Sequence, residues 1–133
     1  MNDCIFCAIV AGEAPSLPVG ESDGALAFLD VNPATRGHTL VVPKLHAEDI
    51  WSLSVEDGAA TWSLVQETAT NLRARLQPDG LTLFQANRHS GWQDVFHFHV
   101  HVVPRWEGDG LVRPWESAAI EHEELEAVAR LLT

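Results

Sequence analysis

The chain reads as one α+β domain, an antiparallel meander sheet with one long helix and a C-terminal helix. Three features of the sequence predict this. Val55, Ala59, Trp62, Val65, Ala69, Leu72 and Leu76 recur at three- and four-residue steps, the signature of a long amphipathic helix. Short apolar runs rich in Val, Leu and Phe stand on both sides of it, each bounded by Gly, Pro or Asn. From Val95 to Val103 the chain alternates strictly, with Val95, His97, His99, His101 and Val103 on one face and Phe96, Phe98, Val100 and Val102 on the other. The 133 residues suit one domain, 1–133, with an irregular tail at about 105–119 and a closing helix at about 120–132.

In chain order, residues 1–12 place Ile5, Phe6, Ile9 and Val10 around Cys4 and Cys7 at helical spacing, with Gly12 as a stop. Pro15 and Pro18 predict an extended connection. Residues 24–30 form a strand, and Asn32-Pro33-Ala34-Thr35-Arg36-Gly37 a turn. His38 to Pro43 is a second strand around Val41 and Val42. Ser54 with Asp57 opens the long helix as a capping-box-like start, and Pro78-Asp79-Gly80 ends it. Trp62 belongs to its apolar face, while Leu64 falls opposite. Leu81 to Asn87 is a third strand, joined by the loop Arg88–Trp92 to the histidine strand. Glu121 to Leu132 is a final helix, acidic first and basic at Arg130, as the helix dipole prefers. The helices are expected on one face of the sheet.

Composition narrows the function classes. A net charge of −11 argues against a nucleic-acid scaffold, which needs a basic stripe, although it leaves a nucleotide substrate open. No run is long and apolar enough to span a membrane, and no basic region followed by an apolar segment opens the chain, so a cytoplasmic location with no membrane partner is expected. Cys4 and Cys7, the two cysteines, form a Cys-x-x-Cys pair, which in a cytosolic chain points to metal binding or redox chemistry ahead of a structural disulfide.

The row of imidazoles is the chemical centre. Histidine is a nucleophile or general acid near neutral pH, and its neutral ring ligates zinc. Three rings spaced two apart fit either a three-histidine metal hydrolase or a phosphoryl or nucleotidyl transfer site, and the residues alone leave both open.

His97-Phe98-His99-Val100-His101-Val102-Val103 resembles the signature of the histidine triad superfamily, three histidines separated by apolar residues and followed by two more. Cys4-Ile5-Phe6-Cys7-Ala8-Ile9, Phe28-Leu29-Asp30, Gly37-His38-Thr39-Leu40-Val41-Val42-Pro43-Lys44, Asn87, Gln93 and Pro104-Arg105 resemble further blocks of that superfamily, in its order. The resemblance implies a nucleotide hydrolase or transferase of the nucleotide-binding branch, acting on an AMP- or GMP-containing substrate. His99 would be the nucleophile that forms a nucleotidyl-histidine, and His101 the donor to a phosphate oxygen. His97 and His38 would complete the catalytic group, with no cofactor for catalysis. By the same resemblance Ile5, Phe6, Ile9, Phe28 and Val31 sandwich the base. Asp30, otherwise an ordinary turn residue, accepts from the ribose hydroxyls, and Asn87 and Gln93 hold phosphate or the leaving side.

The resemblance further implies a structural zinc on Cys4, Cys7, His46 and His97, and a homodimer formed through the long helix and an adjacent strand. Two positions depart from the pattern. Asp94 stands where many members carry Ser or Thr; it belongs to the nucleotide site, yet its carboxylate repels phosphate. Trp92 stands where Gly is frequent. A dinucleoside polyphosphate hydrolase, a nucleotide sensor without turnover, and a redox or metal-storage protein built on Cys4 and Cys7 are the alternatives.

Overall fold

The computed structural model describes residues 3–133. Their order is α1 (Ile5–Val10), β1 (Pro18–Glu21), β2 (Ala25–Leu29), β3 (Thr39–Pro43), α2 (Val55–Leu76), β4 (Gly80–Phe84), β5 (Val100–Arg105) and α3 (His122–Leu132). The strands form one antiparallel five-stranded sheet in the order β1-β2-β3-β5-β4. The meander therefore runs through β1, β2 and β3. α2 then carries the chain to the far edge, and β5 returns between β3 and β4.

Both faces of the sheet are covered, because β2 and β3 are apolar at consecutive positions. Ala25, Ala27, Val41, Val100 and Val102 point to α2 and meet Leu64, Val65 and Leu72. Leu26, Phe28, Leu40 and Val42 point the other way and meet Phe6 of α1. The expected one-sided arrangement is thus corrected: α1 covers the second face, since small Ala25 and Ala27 admit α2 closely while Leu26 and Phe28 still need cover. β1, expected as a plain extended connection, pairs with β2 through Gly20 and Glu21.

α2 matches its sequence bounds. The Ser54 side chain accepts from the Asp57 N–H at 3.1 Å, and Gln77 ends the helix in the left-handed region at φ 51°. Its buried face is rotated from the expected stripe, however. Leu64 is 2% exposed and Trp62 52%. Thr61 and Thr68, both buried, share the inward face with Leu64 and Val65. Thr61 can turn inward because its hydroxyl donates to the Asp57 carbonyl at 2.7 Å.

The histidine strand is shorter than its alternation suggested. β5 begins at Val100, so His97 and His99 precede the ladder. Beyond Val41 the partner strand reaches Pro43, which has no N–H to offer. The Phe98 N–H donates instead to the Ala47 carbonyl at 2.7 Å. Side-chain alternation persists through Phe98, Val100 and Val102 into the α2 core, whereas Phe96 is 48% exposed. β4 also stops early, at Phe84. Among the described residues, no helix is long and apolar enough to cross a membrane.

Candidate functional site

β5 lies against Leu40 of β3 and Phe84 of β4 at His101, so the histidines project on the α1 face. His97, His99 and His101 are all buried, as is His38. His38 follows Gly37, whose φ of +91° turns the chain tightly; a Cβ there would lie 2.6 Å from Leu76. The turn thereby places His38 at the mouth of β3, beside His101.

Hydrogen bonds fix which nitrogen of each ring carries the proton. His97 Nε2 donates to the Pro43 carbonyl at 2.8 Å, which leaves its Nδ1 lone pair facing the cysteines. His99 is the reverse: Nδ1 donates to the His97 carbonyl at 2.7 Å, which leaves Nε2 as the outward nitrogen. His38 Nδ1 accepts the Ala34 N–H at 3.0 Å, so its Nε2 donates to His101 Nδ1 at 2.9 Å. His101 is then left with Nε2–H as a donor. Burial, with His99 and His38 beside it, pushes the His101 ring down to about 4, so it is neutral at pH 7. His38 is lowered by burial as well, with Asp30 opposing the shift.

Aromatic packing holds the rings in place. Phe6 stands edge-on to His99 with centroids 5.1 Å apart, and Phe84 stacks on His101 at 4.0 Å with planes 8° apart. Phe84 had no motif to mark it; its register opposite His101 is the only sign. Asp94 Oδ1 lies 3.3 Å from His99 Nε2, and its side chain is 74% exposed. Trp92 takes φ 74°, the left-handed region that glycine favours, and its ring lies 5.5 Å from that of Trp115 in the tail.

The expected nucleoside residues divide by exposure. Phe6 and Phe28 are buried and pack on each other at 5.4 Å, Ile9 packs against the same cluster, and Ile5 (50%) and Val31 (78%) offer open apolar surface. Asp30 accepts the Asn32 N–H at 2.8 Å through Oδ1, and its Oδ2 is 3.6 Å from His38 Nε2. Asn87 and Gln93 are occupied locally. Asn87 accepts the Ile50 N–H and exchanges bonds with Gln85. Gln93 accepts the Arg88 N–H and donates to the carbonyls of Glu48 and Val95, so its buried amide ties the Arg88–Trp92 loop to the segment after β3.

A second constellation adjoins the first. Cys4, Cys7, His46 and His97 each offer one donor atom, all within 4.8 Å of one another. Cys4 Sγ is 3.3 Å and Cys7 Sγ 3.5 Å from His97 Nδ1, Cys7 Sγ is 3.4 Å from His46 Nδ1, and the two Nδ1 atoms are 3.3 Å apart. Zinc bonds of about 2.0 Å to nitrogen and about 2.3 Å to sulfur require tetrahedral edges of about 3.3–3.8 Å. The donor set and its spacing fit such an ion, and the Pro43 carbonyl supplies the outer-shell partner that orients His97.

Comparison with known proteins gives one consistent result. The HIT domain profile matches residues 11–108. A crystal structure of a HIT family protein from Bacillus anthracis is 38% identical and superposes with a TM-score of 0.91, covering 98% of this chain and 95% of that one. A zinc-bound histidine triad family protein from Mycobacterium smegmatis is 38% identical with a TM-score of 0.78, covering 97% and 95%. Adenylylsulfatase HINT3 of Arabidopsis thaliana is 36% identical over 93% of this chain and 61% of its own length.

Proposed function

The chain belongs to the HIT domain family, and we propose that it is a nucleotide-binding hydrolase that cleaves at the α-phosphate of nucleoside phosphoramidates or of adenylated or guanylated small molecules. The observation that carries this is the anchoring of His99. With Nδ1–H held by the His97 carbonyl, Nε2 presents a lone pair beside a neutral donor, His101. In the first step Nε2 bonds to phosphorus while the bond to the leaving group breaks. The leaving group departs with the electron pair and takes a proton from solvent. In the second, water adds to phosphorus, releases a proton to solvent, and the electron pair of the N–P bond returns to Nε2. His101 Nε2–H donates to a non-bridging oxygen throughout, and its alignment comes from the Ala34–His38–His101 chain of donors. Asp30 holds the ribose, Ile5 and Val31 give the base an apolar bed, and Asn87 and Gln93 shape the phosphate loop. The Arabidopsis relative is named an adenylylsulfatase, which supports cleavage at an adenylyl phosphate and leaves the preferred leaving group of this chain open.

Cys4, Cys7, His46 and His97 hold a structural zinc that pins α1 and the segment 95–99 to the end of β3; the zinc-bound M. smegmatis protein supports the assignment. The ion supplies cross-linking alone. The protein works as a homodimer. β4 is an edge strand that exposes Leu81, Leu83 and Phe84, an arrangement that a second copy would cover. Sedimentation should give twice the chain mass.

A turnover panel tests the function. Adenosine and guanosine phosphoramidates should be hydrolysed with release of the nucleoside monophosphate. Dinucleoside polyphosphates should be poorer substrates, and a protein that cleaves only the latter refutes the reading.

A further inference from the structure

We propose that Asp94 sorts substrates by the charge of their leaving group, admitting amines that carry a positive charge and turning away anionic groups. This rests on the nucleophilic role of His99. The Asp94 carboxylate lies 3.3 Å from His99 Nε2, in the place a substrate phosphorus must enter, and its side chain is 74% exposed whereas that of His99 is 3%. An arriving phosphate therefore displaces it. The side chain can swing toward solvent, but its backbone, five residues before His99, keeps the charge at the open side of the site, where the leaving group departs.

Among the described residues of this chain, no Lys or Arg lies within ion-pair distance of Asp94. The neighbours acting on His101 are His99, His38, Asp94 and Asp30, two rings and two carboxylates, with no Lys or Arg among them. Lys44, Arg88 and Arg105 are paired with Glu21, Asp49 and Asp109. Arg88, on the same loop, also lies over the Trp51 ring at 4.7 Å. Neutral histidines can serve one phosphate through directed N–H groups. A leaving group with further phosphates, a sulfate or a carboxylate would bring added negative charge against Asp94 and Asp30. An ammonium there would gain from the same field. A unit charge about 6 Å from a mostly solvated carboxylate changes a rate by up to roughly tenfold, and the effect weakens as salt is added.

The test uses the full chain and a matched series of adenosine phosphoramidates. Each is joined through its P–N bond to an alkylamine of one length ending in an ammonium, a hydroxyl or a carboxylate. Wild type should show kcat/KM highest for the ammonium and lowest for the carboxylate, about tenfold per step at low salt. Asp94→Asn and Asp94→Ser should each compress the series to within about threefold, and Asp94→Glu should retain the order. An unchanged order and spread in Asp94→Asn and Asp94→Ser, with substrates still turned over, overturns this inference alone. If wild type hydrolyses none of the series and no nucleotidyl group forms on His99, the underlying reading falls and takes the inference with it.

Discussion

His97 and His99 are two residues apart and both buried, yet they are wired in opposite senses. His97 donates through Nε2 to Pro43 and turns Nδ1 toward two thiols and another imidazole. His99 donates through Nδ1 to the His97 carbonyl and turns Nε2 toward the open side, where Asp94 waits. The first environment closes on itself, with four donors converging on one point even though His46 is exposed to solvent. The second is open at the nitrogen that matters. In the proposed function one residue type serves a fixed cross-link at one position and a reactive centre at the next, and the backbone carbonyl each ring meets decides which.

The largest expected effect breaks the reactive half. His99→Ala should lower turnover of nucleoside phosphoramidates by roughly 10³-fold or more while leaving the melting curve near that of wild type. Next is the closed half. Cys4→Ser with Cys7→Ser, or removal of metal by chelator, should cost about 3 kcal/mol or more of stability, a fall of roughly 10 °C in Tm at this size. Calorimetry with metal analysis checks both the loss and one zinc per chain. The two perturbations should separate cleanly: chelation destabilises without preventing turnover by protein that remains folded, whereas His99→Ala does the reverse.

A third prediction concerns pH. His101 is held down to about 4 by burial, against about 6.5 in the unfolded chain. A lowered folded value means stability is full above 6.5 and is lost as pH falls toward 4, because the unfolded chain takes up the proton first. The loss should reach roughly 2 kcal/mol by pH 5, with His38 adding to it in the same direction. His101→Gln should flatten this slope relative to wild type in denaturant titrations at pH 7 and pH 5; an equal slope would show that burial of His101 is not its source. The smallest effect is Ser54→Ala, which removes the helix cap from Asp57 and should cost about 1 kcal/mol without touching either constellation.

The sequence made the long helix legible because its spacing, cap and stop agreed, and the resemblance singled out Cys4, Cys7, His46 and His97, whose donor atoms the fold brings together although Cys4 and His97 are far apart in the chain. Other parts depended on packing that no local pattern carries. The inward turn of Leu64 and outward turn of Trp62 follow from the small Ala25 and Ala27 across the interface. The early end of the histidine strand follows from Pro43 on a different strand. The opposite wiring of His97 and His99 depends on two carbonyls, and backbone groups look alike in a sequence. Phe84 meets His101 only because β5 inserts beside β4, a crossover set by α2.

The proposed mechanism requires His99 Nε2 to become covalently nucleotidylated. Rapid acid-free quenching of the protein with an adenosine phosphoramidate, followed by peptide mass mapping, should locate an adenylyl group on His99 and none on His97 or His101. The adduct should form equally with metal-free buffer and disappear in His99→Ala. An adduct absent from His99 during active turnover, or turnover abolished by chelator while the protein stays folded, would rule out the nucleotidyl-histidine mechanism.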